Sequence, residues 1–237
     1  MSVKKSILVL FLAPLFLAGT AAVALPEKGD TVDVARFLSG DMKNGVPAGW
    51  KLEKKSGTPV IGLEKEGNAF HLNMKSDPQS SFGIKKAISV NVKEYPFLNW
   101  KWMVSRLPRG GDVRKAETDD QAIQIYIAFY ATGFPAKFHT PVIGYVWDNE
   151  APRDWTGRSR QFGGSNLRYI VLKNKTDKIG EWYNEKRDIY QDYRKLFKDM
   201  KNGEPAGPAE GISLYINSQH TRSTAESNIA DVYFSRQ

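Results

Sequence analysis

Two adjacent carboxylates, Asp119 and Asp120, stand just before a run in which apolar and polar residues alternate. At the mouth of a strand such a pair suits calcium ligation or acid–base work, and it equally suits a polar turn. A second acidic group, Glu185, Asp188, Asp192 and Asp199, falls at helix-like spacing with Lys195 among it. Like charges at i, i+4, as at Asp188 and Asp192, cost ~0.2–0.5 kcal/mol. A solvated face, an arginine from elsewhere or a cation would offset that cost. Asp120 with Asp188 or Asp192 would be the carboxylate pair of a carbohydrate-active hydrolase or lyase, which in a hydrolase face one cleft ~5–9.5 Å apart.

The aromatic supply points to a different chemistry. Indole and phenol rings present flat apolar faces that match the C–H face of a sugar, while nearby polar groups orient it. Trp100 and Trp102 share one strand face, but Leu98 and Val104 flank them, so a core stripe is the plainer reading. Tyr126 and Tyr130 lie on the more polar face of their strand and make a better exposed platform. The loop Arg153-Asp154-Trp155-Thr156-Gly157-Arg158-Ser159-Arg160 joins an indole to three guanidiniums, a set that could clamp an acidic ligand or simply anchor a surface loop. Asp231, near the chain end, could bind calcium and is better read as a turn cap.

Much chemistry is excluded. With no cysteine, thiolate catalysis and disulfides drop out, and three scattered histidines (His71, His139, His220) lack zinc-ligand spacing. No nucleophile elbow, phosphate loop, dinucleotide fingerprint or zincin motif occurs. The net charge of +8 is spread along the chain rather than gathered in a basic run. That pattern argues against nucleic acid and is compatible with an anionic envelope ligand.

The elements that must position these residues are mostly strands. Runs bounded by Gly, Pro, Asn and Asp recur at Thr31–Leu38, Pro59–Glu64, Ala69–Lys75, Ser80–Lys85, Phe97–Ser105, Gln121–Tyr130, Val142–Asp148, Leu167–Lys173, Gly211–Asn217 and Ile229–Ser235. In Gln121–Tyr130, Ile123, Ile125, Ile127 and Phe129 share one face, with Gln124, Tyr126, Ala128 and Tyr130 on the other. One stretch breaks the pattern. Asn184–Met200 spaces Ile189, Tyr193, Leu196, Phe197 and Met200 as an amphipathic helix, with Asn184 as N-cap and Gly203 as stop. Asp148–Gly164 reads as the longest loop without structure. The expected fold is mostly β, a two-sheet jelly-roll-like sandwich with the helix packed on it.

Residues 1–24 read as a signal peptide: Lys4 and Lys5, an apolar run from Ile7 to Ala18, and a small-x-small site at Ala22-Val23-Ala24. Cleavage after Ala24 would leave residues 25–237 as one exported sandwich domain, periplasmic or secreted. The apolar run is shorter than the ~20 residues of a transmembrane helix, so the mature chain is not expected to span a membrane.

Several pieces in order resemble the bacterial DUF3047 family of exported proteins of unknown function. They are Pro47-x-Gly49-Trp50, Pro96-x-Leu98-x-Trp100-x-Trp102, Leu107-Pro108, Asp119-Asp120, Tyr126 and Phe129, Tyr145-x-Trp147, the run with Asp188, Asp192-Tyr193 and Phe197, and Ala230-Asp231-x-x-Phe234. The resemblance implies a jelly-roll-like sandwich similar to carbohydrate-binding modules and implies no reaction. Two positions depart from it. Gln124 stands where the family usually has Arg, and Asn217-Ser218-Gln219-His220-Thr221 replaces an Asp-x-Asp-x-Thr-like run. A cation held by that run in relatives would lack two carboxylates here.

These readings converge on a non-catalytic binding protein for a glycan or another envelope-derived ligand. Tyr126, Tyr130, Trp147 and Trp155 would stack on it, with Trp102 as a further wall candidate. Asp119, Asp120 and Arg158 would make polar contacts, and Asp188 and Asp192 would serve if the helix acids share the cleft. No cofactor is expected; a structural calcium ion is the one alternative left open. The rivals are the hydrolase or lyase and an envelope scaffolding protein.

Overall fold

The structure, a computed structural model, describes residues 29–161 and 166–237. The signal-peptide reading of residues 1–24 lies outside the described residues. The chain forms two packed sheets, a mostly β jelly-roll-like sandwich. The first sheet runs β13 (Tyr183–Asp188), β8 (Phe97–Arg106), β15 (Ala225–Ser235), β6 (Ala69–Ser76), β5 (Val60–Glu66), with β1 (Thr31–Ala35) also paired to β15. The second has seven strands: β11 (Thr156–Arg158), β12 (Leu167–Lys173), β10 (Val142–Trp147), β9 (Ile123–Phe129), β14 (Ala209–Asn217), β7 (Ser81–Val90) and β4 (Lys51–Ser56). A two-residue ladder, β2 (Met42–Lys43) with β3 (Val46–Pro47), lies apart.

Alternation explains the layers, because successive side chains leave a strand on opposite faces. Leu98, Trp100, Trp102 and Val104 of β8 and Leu72 and Met74 of β6 face inward, opposite Ile123, Ile125, Ile127 and Phe129 of β9 and Tyr145 and Trp147 of β10. Both indoles of β8 are buried here: Trp100 meets Trp102 edge-on at 5.4 Å, and Trp102 meets Trp147 at 5.8 Å. On the outer side of the six-stranded sheet, Asn73 donates to Asn228 across β6 and β15 at 2.8 Å, beside the Lys75–Glu226 ion pair.

β15 changes partner along its length. Its first half pairs β6 and its second half pairs β1, with β8 on its other side throughout. A bulge between Ala230 and Tyr233 carries the change, and Asp231 sits there in the left-handed region (φ 52°). Asp231 therefore occupies a strand bulge and pairs with Lys101 at 2.8 Å.

The helix is shorter than its spacing suggests. α1 spans Ile189–Leu196, while Asn184–Asp188 belongs to β13 and pairs with β8. The N-cap is Asp188, which accepts from the Gln191 amide at 2.9 Å, so Asn184 is not the cap. Tyr183, Glu185 and Arg187 alternate as well as they repeat, and pairing with β8 decides for the strand. β4 and β11 also form where no strand was expected, so Asp148–Gly164 contains β11, and its residues 162–164 lie outside the described residues.

Candidate functional site

The outer face of the seven-stranded sheet gathers three phenols around two glycines. In one cross-strand row Tyr126 stands opposite Gly144, and Gly144 opposite Tyr169. On its other side Tyr126 stands opposite Ser213, which stands opposite Lys85. In the next row Gln124 lies opposite Tyr215, and Tyr215 opposite Gly83. Tyr126 is 6.4 Å from the Tyr169 ring and 6.2 Å from the Tyr215 ring. A β-carbon on Gly144 would come 2.7 Å from the Tyr169 ring and 3.0 Å from that of Tyr126. One on Gly83 would come 2.3 Å from the Leu214 carbonyl and 2.5 Å from the Tyr215 ring. Glycine at these positions lets the rings lie down on bare backbone.

Tyr169 is buried, while Tyr126 and Tyr215 keep partly open faces. Their hydroxyls are held: Tyr215 shares a hydrogen bond with Ser81 at 2.9 Å, and Tyr126 and Tyr169 bond to one another. Burial pushes the Tyr126 and Tyr169 phenols well above their ordinary range, so both are neutral donors near pH 7. The Lys85–Glu53 pair at 3.3 Å borders the row on the β4 side.

One end of this face is closed by a buried polar network built on Asp119 and Asp120. The Gln121 side-chain amide donates to Asp119 at 3.1 Å and to Asp148 at 3.3 Å. Gln124 donates to the Gln121 side-chain oxygen at 2.7 Å and to that of Asn217. Asn217 donates to the Asp119 carbonyl at 2.6 Å, and Thr221 donates to Asp120 from its amide at 2.6 Å and its hydroxyl at 2.8 Å. Asp148 accepts from the Val113 and Ala151 amides at 2.8 and 2.7 Å, which ties the loops before β9 and after β10 together.

Burial dominates the electrostatics here. Desolvation raises the Asp119 carboxyl to about 7 and that of Asp148 to about 6, against hydrogen bonds that favour the charged forms. Desolvation also lowers the Lys55 ammonium, which Asp119 and Asp120 partly restore. Gln124 and Asn217, the two departures from the family pattern, are thus partners in one neutral amide network. Among the described residues no group of three or more acidic or imidazole side chains is placed to hold a metal ion.

The structure brings together Asp119, Asp120, Tyr126 and Trp155. Trp155 packs with Tyr126 against a small outer cluster of Val113, Val146, Ala151, Tyr169 and Val171. The remaining candidates lie elsewhere. Trp102 and Trp147 are fully buried between the sheets, with their indole N–H groups on Glu185 at 3.2 Å and the Asn174 carbonyl at 3.3 Å. Neither offers a ring face to solvent, so both belong to the core. Asp192 is committed to Arg187, which donates to it at 3.0 and 2.6 Å, and to the Tyr145 hydroxyl at 2.8 Å. An arginine does offset the Asp188–Asp192 repulsion, and it comes from β13. Arg158 shares Asp199 with Arg168, and hydrogen bonding from Arg168 holds that carboxyl down near 2. Tyr130 is exposed beside Gly207, just beyond the end of β9.

The carboxylate pair of the hydrolase reading is therefore not assembled. Asp188 caps the helix, Asp192 is enclosed by Arg187 and by Tyr145 of the inner face, and Asp120 belongs to the network at the outer face. Sequence reasoning missed Tyr169, Tyr215, Gln121, Gln124 and Asp148. The alternation Ser213, Tyr215, Asn217 in β14 carried the signal for Tyr215.

Fold and site together define a β-sandwich with a tyrosine-paved open sheet face, closed at one end by buried carboxylates and amides. The chain belongs to the DUF3047 family, proteins of unknown function, whose model matches residues 48–233. No curated protein matches it. Among solved structures it is similar to a family 11 carbohydrate-binding module from Clostridium thermocellum in complex with a β-1,3-1,4-mixed-linked tetrasaccharide. That likeness has 8% identity, 86% of this chain, 95% of that chain and a TM-score of 0.45. It is also similar to the non-crystalline cellulose-specific module CBM28, with 11% identity, 87% and 98% coverage and a TM-score of 0.43. A third likeness is the xyloglucanase domain of NopAA from Sinorhizobium fredii in complex with cellobiose, with 11% identity, 86% and 97% coverage and a TM-score of 0.41.

Proposed function

We propose that this chain is a non-catalytic glycan-binding protein of the cell envelope, with the tyrosine face of the seven-stranded sheet as its binding surface. The observation that carries this reading is the Tyr126–Tyr169–Tyr215 group over Gly144 and Gly83. It is an apolar floor with held hydroxyls, its rings inclined to one another by 51° and 53°, with Tyr169 buried at its base, Tyr126 and Tyr215 partly open, and the Lys85–Glu53 pair at its border. A sugar ring needs both elements, an aromatic plane for its C–H face and fixed polar groups at its rim. The signal-peptide pattern supports export, with residues 25–237 as the working sandwich. Among the described residues no helix is long and apolar enough to cross a membrane.

The test is an array of envelope and plant glycans, followed by titration of intrinsic fluorescence with the strongest hit. Tyr126→Ala and Tyr215→Ala are each expected to weaken binding about 10-fold, the loss of one aromatic contact. Tyr95→Ala, a change in the turn between β7 and β8, should leave affinity as it is. An array without a hit, with fluorescence unmoved by envelope polysaccharides, would favour the scaffolding alternative.

A further inference from the structure

At the closed end of the tyrosine face the chain leaves hydrogen-bonding atoms unused. Among the described residues the buried side-chain atoms without a partner include Thr118 Oγ1, Asp120 Oδ1, Gln219 Oε1 and His220 Nε2, all in two facing loops. The loops are stapled together through Thr221 on Asp120 Oδ2 and Asn217 on the Asp119 carbonyl. A fifth such atom, Ser56 Oγ, lies in the cross-strand row that continues through Ser81 to Asn217. Buried polar atoms in a folded protein are nearly always paired, so this concentration in one place calls for a partner.

The chemistry of that partner follows from what is missing. Asp120 and Gln219 lack donors, since both orphaned atoms are acceptors. Positive charge is already supplied, because Lys55 stands in electrostatic reach of Asp119 and Asp120, and of His220 beside them. A neutral hydroxyl supplies donors without a second cation, whereas a carboxylate sugar would bring another acceptor to the orphaned oxygens of Asp120 and Gln219. Gln219 and His220 are only partly buried as residues, so their side chains can turn to admit a ligand that Asp120, fully buried, meets from below.

We propose that the loops around Thr118–Asp120 and Gln219–Thr221 form the terminal subsite of the glycan surface, taking the hydroxyls of a neutral sugar on Asp120 Oδ1 and Gln219 Oε1. This rests on the tyrosine face being that surface. The test compares the chain with Asp120→Asn and Gln219→Ala on one array of neutral, uronate-containing and amino-sugar glycans, with the His220 ring signals followed by NMR. The expected result is binding of neutral glycans, weakened on the order of 10- to 100-fold in Asp120→Asn and less in Gln219→Ala, with His220 shifting on binding. Gln219→Ala, at a partly exposed position, keeps the test decisive if Asp120→Asn folds poorly. Binding of neutral glycans with both variants and His220 unaffected overturns the subsite and leaves the tyrosine surface standing. Binding confined to uronates overturns the subsite's chemistry, and absence of all binding overturns both. A His220 shift produced by calcium chloride alone would mark the loops as a cation site instead.

Discussion

Asp192→Ala is expected to destabilise the fold by about 3–5 kcal/mol, the cost of leaving a buried charge without its partner. Asp192 receives two bonds from Arg187 and one from Tyr145, with its side chain 8% exposed and that of Arg187 30% exposed. Removing the carboxylate strands a partly buried guanidinium and a fully buried phenol. The double variant Asp192→Ala with Arg187→Met should recover part of the loss, since both charges leave together. Urea unfolding with an unchanged slope and a shifted midpoint is the expected record. A glycan affinity unchanged in the folded fraction would separate this structural role from ligand binding. A stable Asp192→Ala protein would show that the pair is not the brace described.

The second large effect is a loss of stability as pH rises. Asp119 and Asp148 hold their protons up to about 7 and about 6 in the folded chain, against an ordinary value of 3.8. Between pH 4 and 7 the native state therefore binds protons that the unfolded state has released. Stability is fully present below pH 4 and falls as pH passes through the two raised values. At ~1.4 kcal/mol per unit, the pair accounts for a fall of roughly 3–5 kcal/mol between pH 4 and 8, discounted for its shared Gln121 donor. His220 works the other way, because burial lowers its value and its neutral form gains as pH rises towards 6.5. Asp199, held near 2, acts below pH 4. The clean measurement is thus a difference: urea midpoints at pH 5 and pH 8 for the chain and for Asp119→Asn. The variant should lose about two thirds of the pH dependence and gain stability at pH 8. Equal pH dependence in the two proteins would show that Asp119 ionises normally.

The strands that alternate apolar and polar residues were legible, and the inward face of β9 follows directly from Ile123, Ile125, Ile127 and Phe129. β4 was not, because Lys51–Ser56 is an edge strand whose lysines blunt the edge and leave little apolar pattern to find. β13 was hidden by residues that fit both periods, and only its pairing with β8 separates strand from helix. At the site, the Asp119-Asp120 pair and Tyr126 stood out by type. Their partners did not, because Gln121, Gln124, Asp148 and Asn217 come from separate strands and loops and are unremarkable in isolation. The tyrosine floor depends on Gly83 and Gly144, where what matters is a missing side chain on a neighbouring strand, a property that no single run of residues displays. Trp102 and Trp147 misled for the opposite reason, since indoles serve a core as readily as a sugar.

The most direct test of the glycan surface is NMR shift mapping with the strongest array hit on isotope-labelled protein. The account predicts shifts concentrated at Gly83, Tyr126, Gly144, Ser213 and Tyr215, on the outer face of the seven-stranded sheet. Shifts gathered instead around Asn73, Lys75 and Asn228, on the outer side of the other sheet, would contradict it.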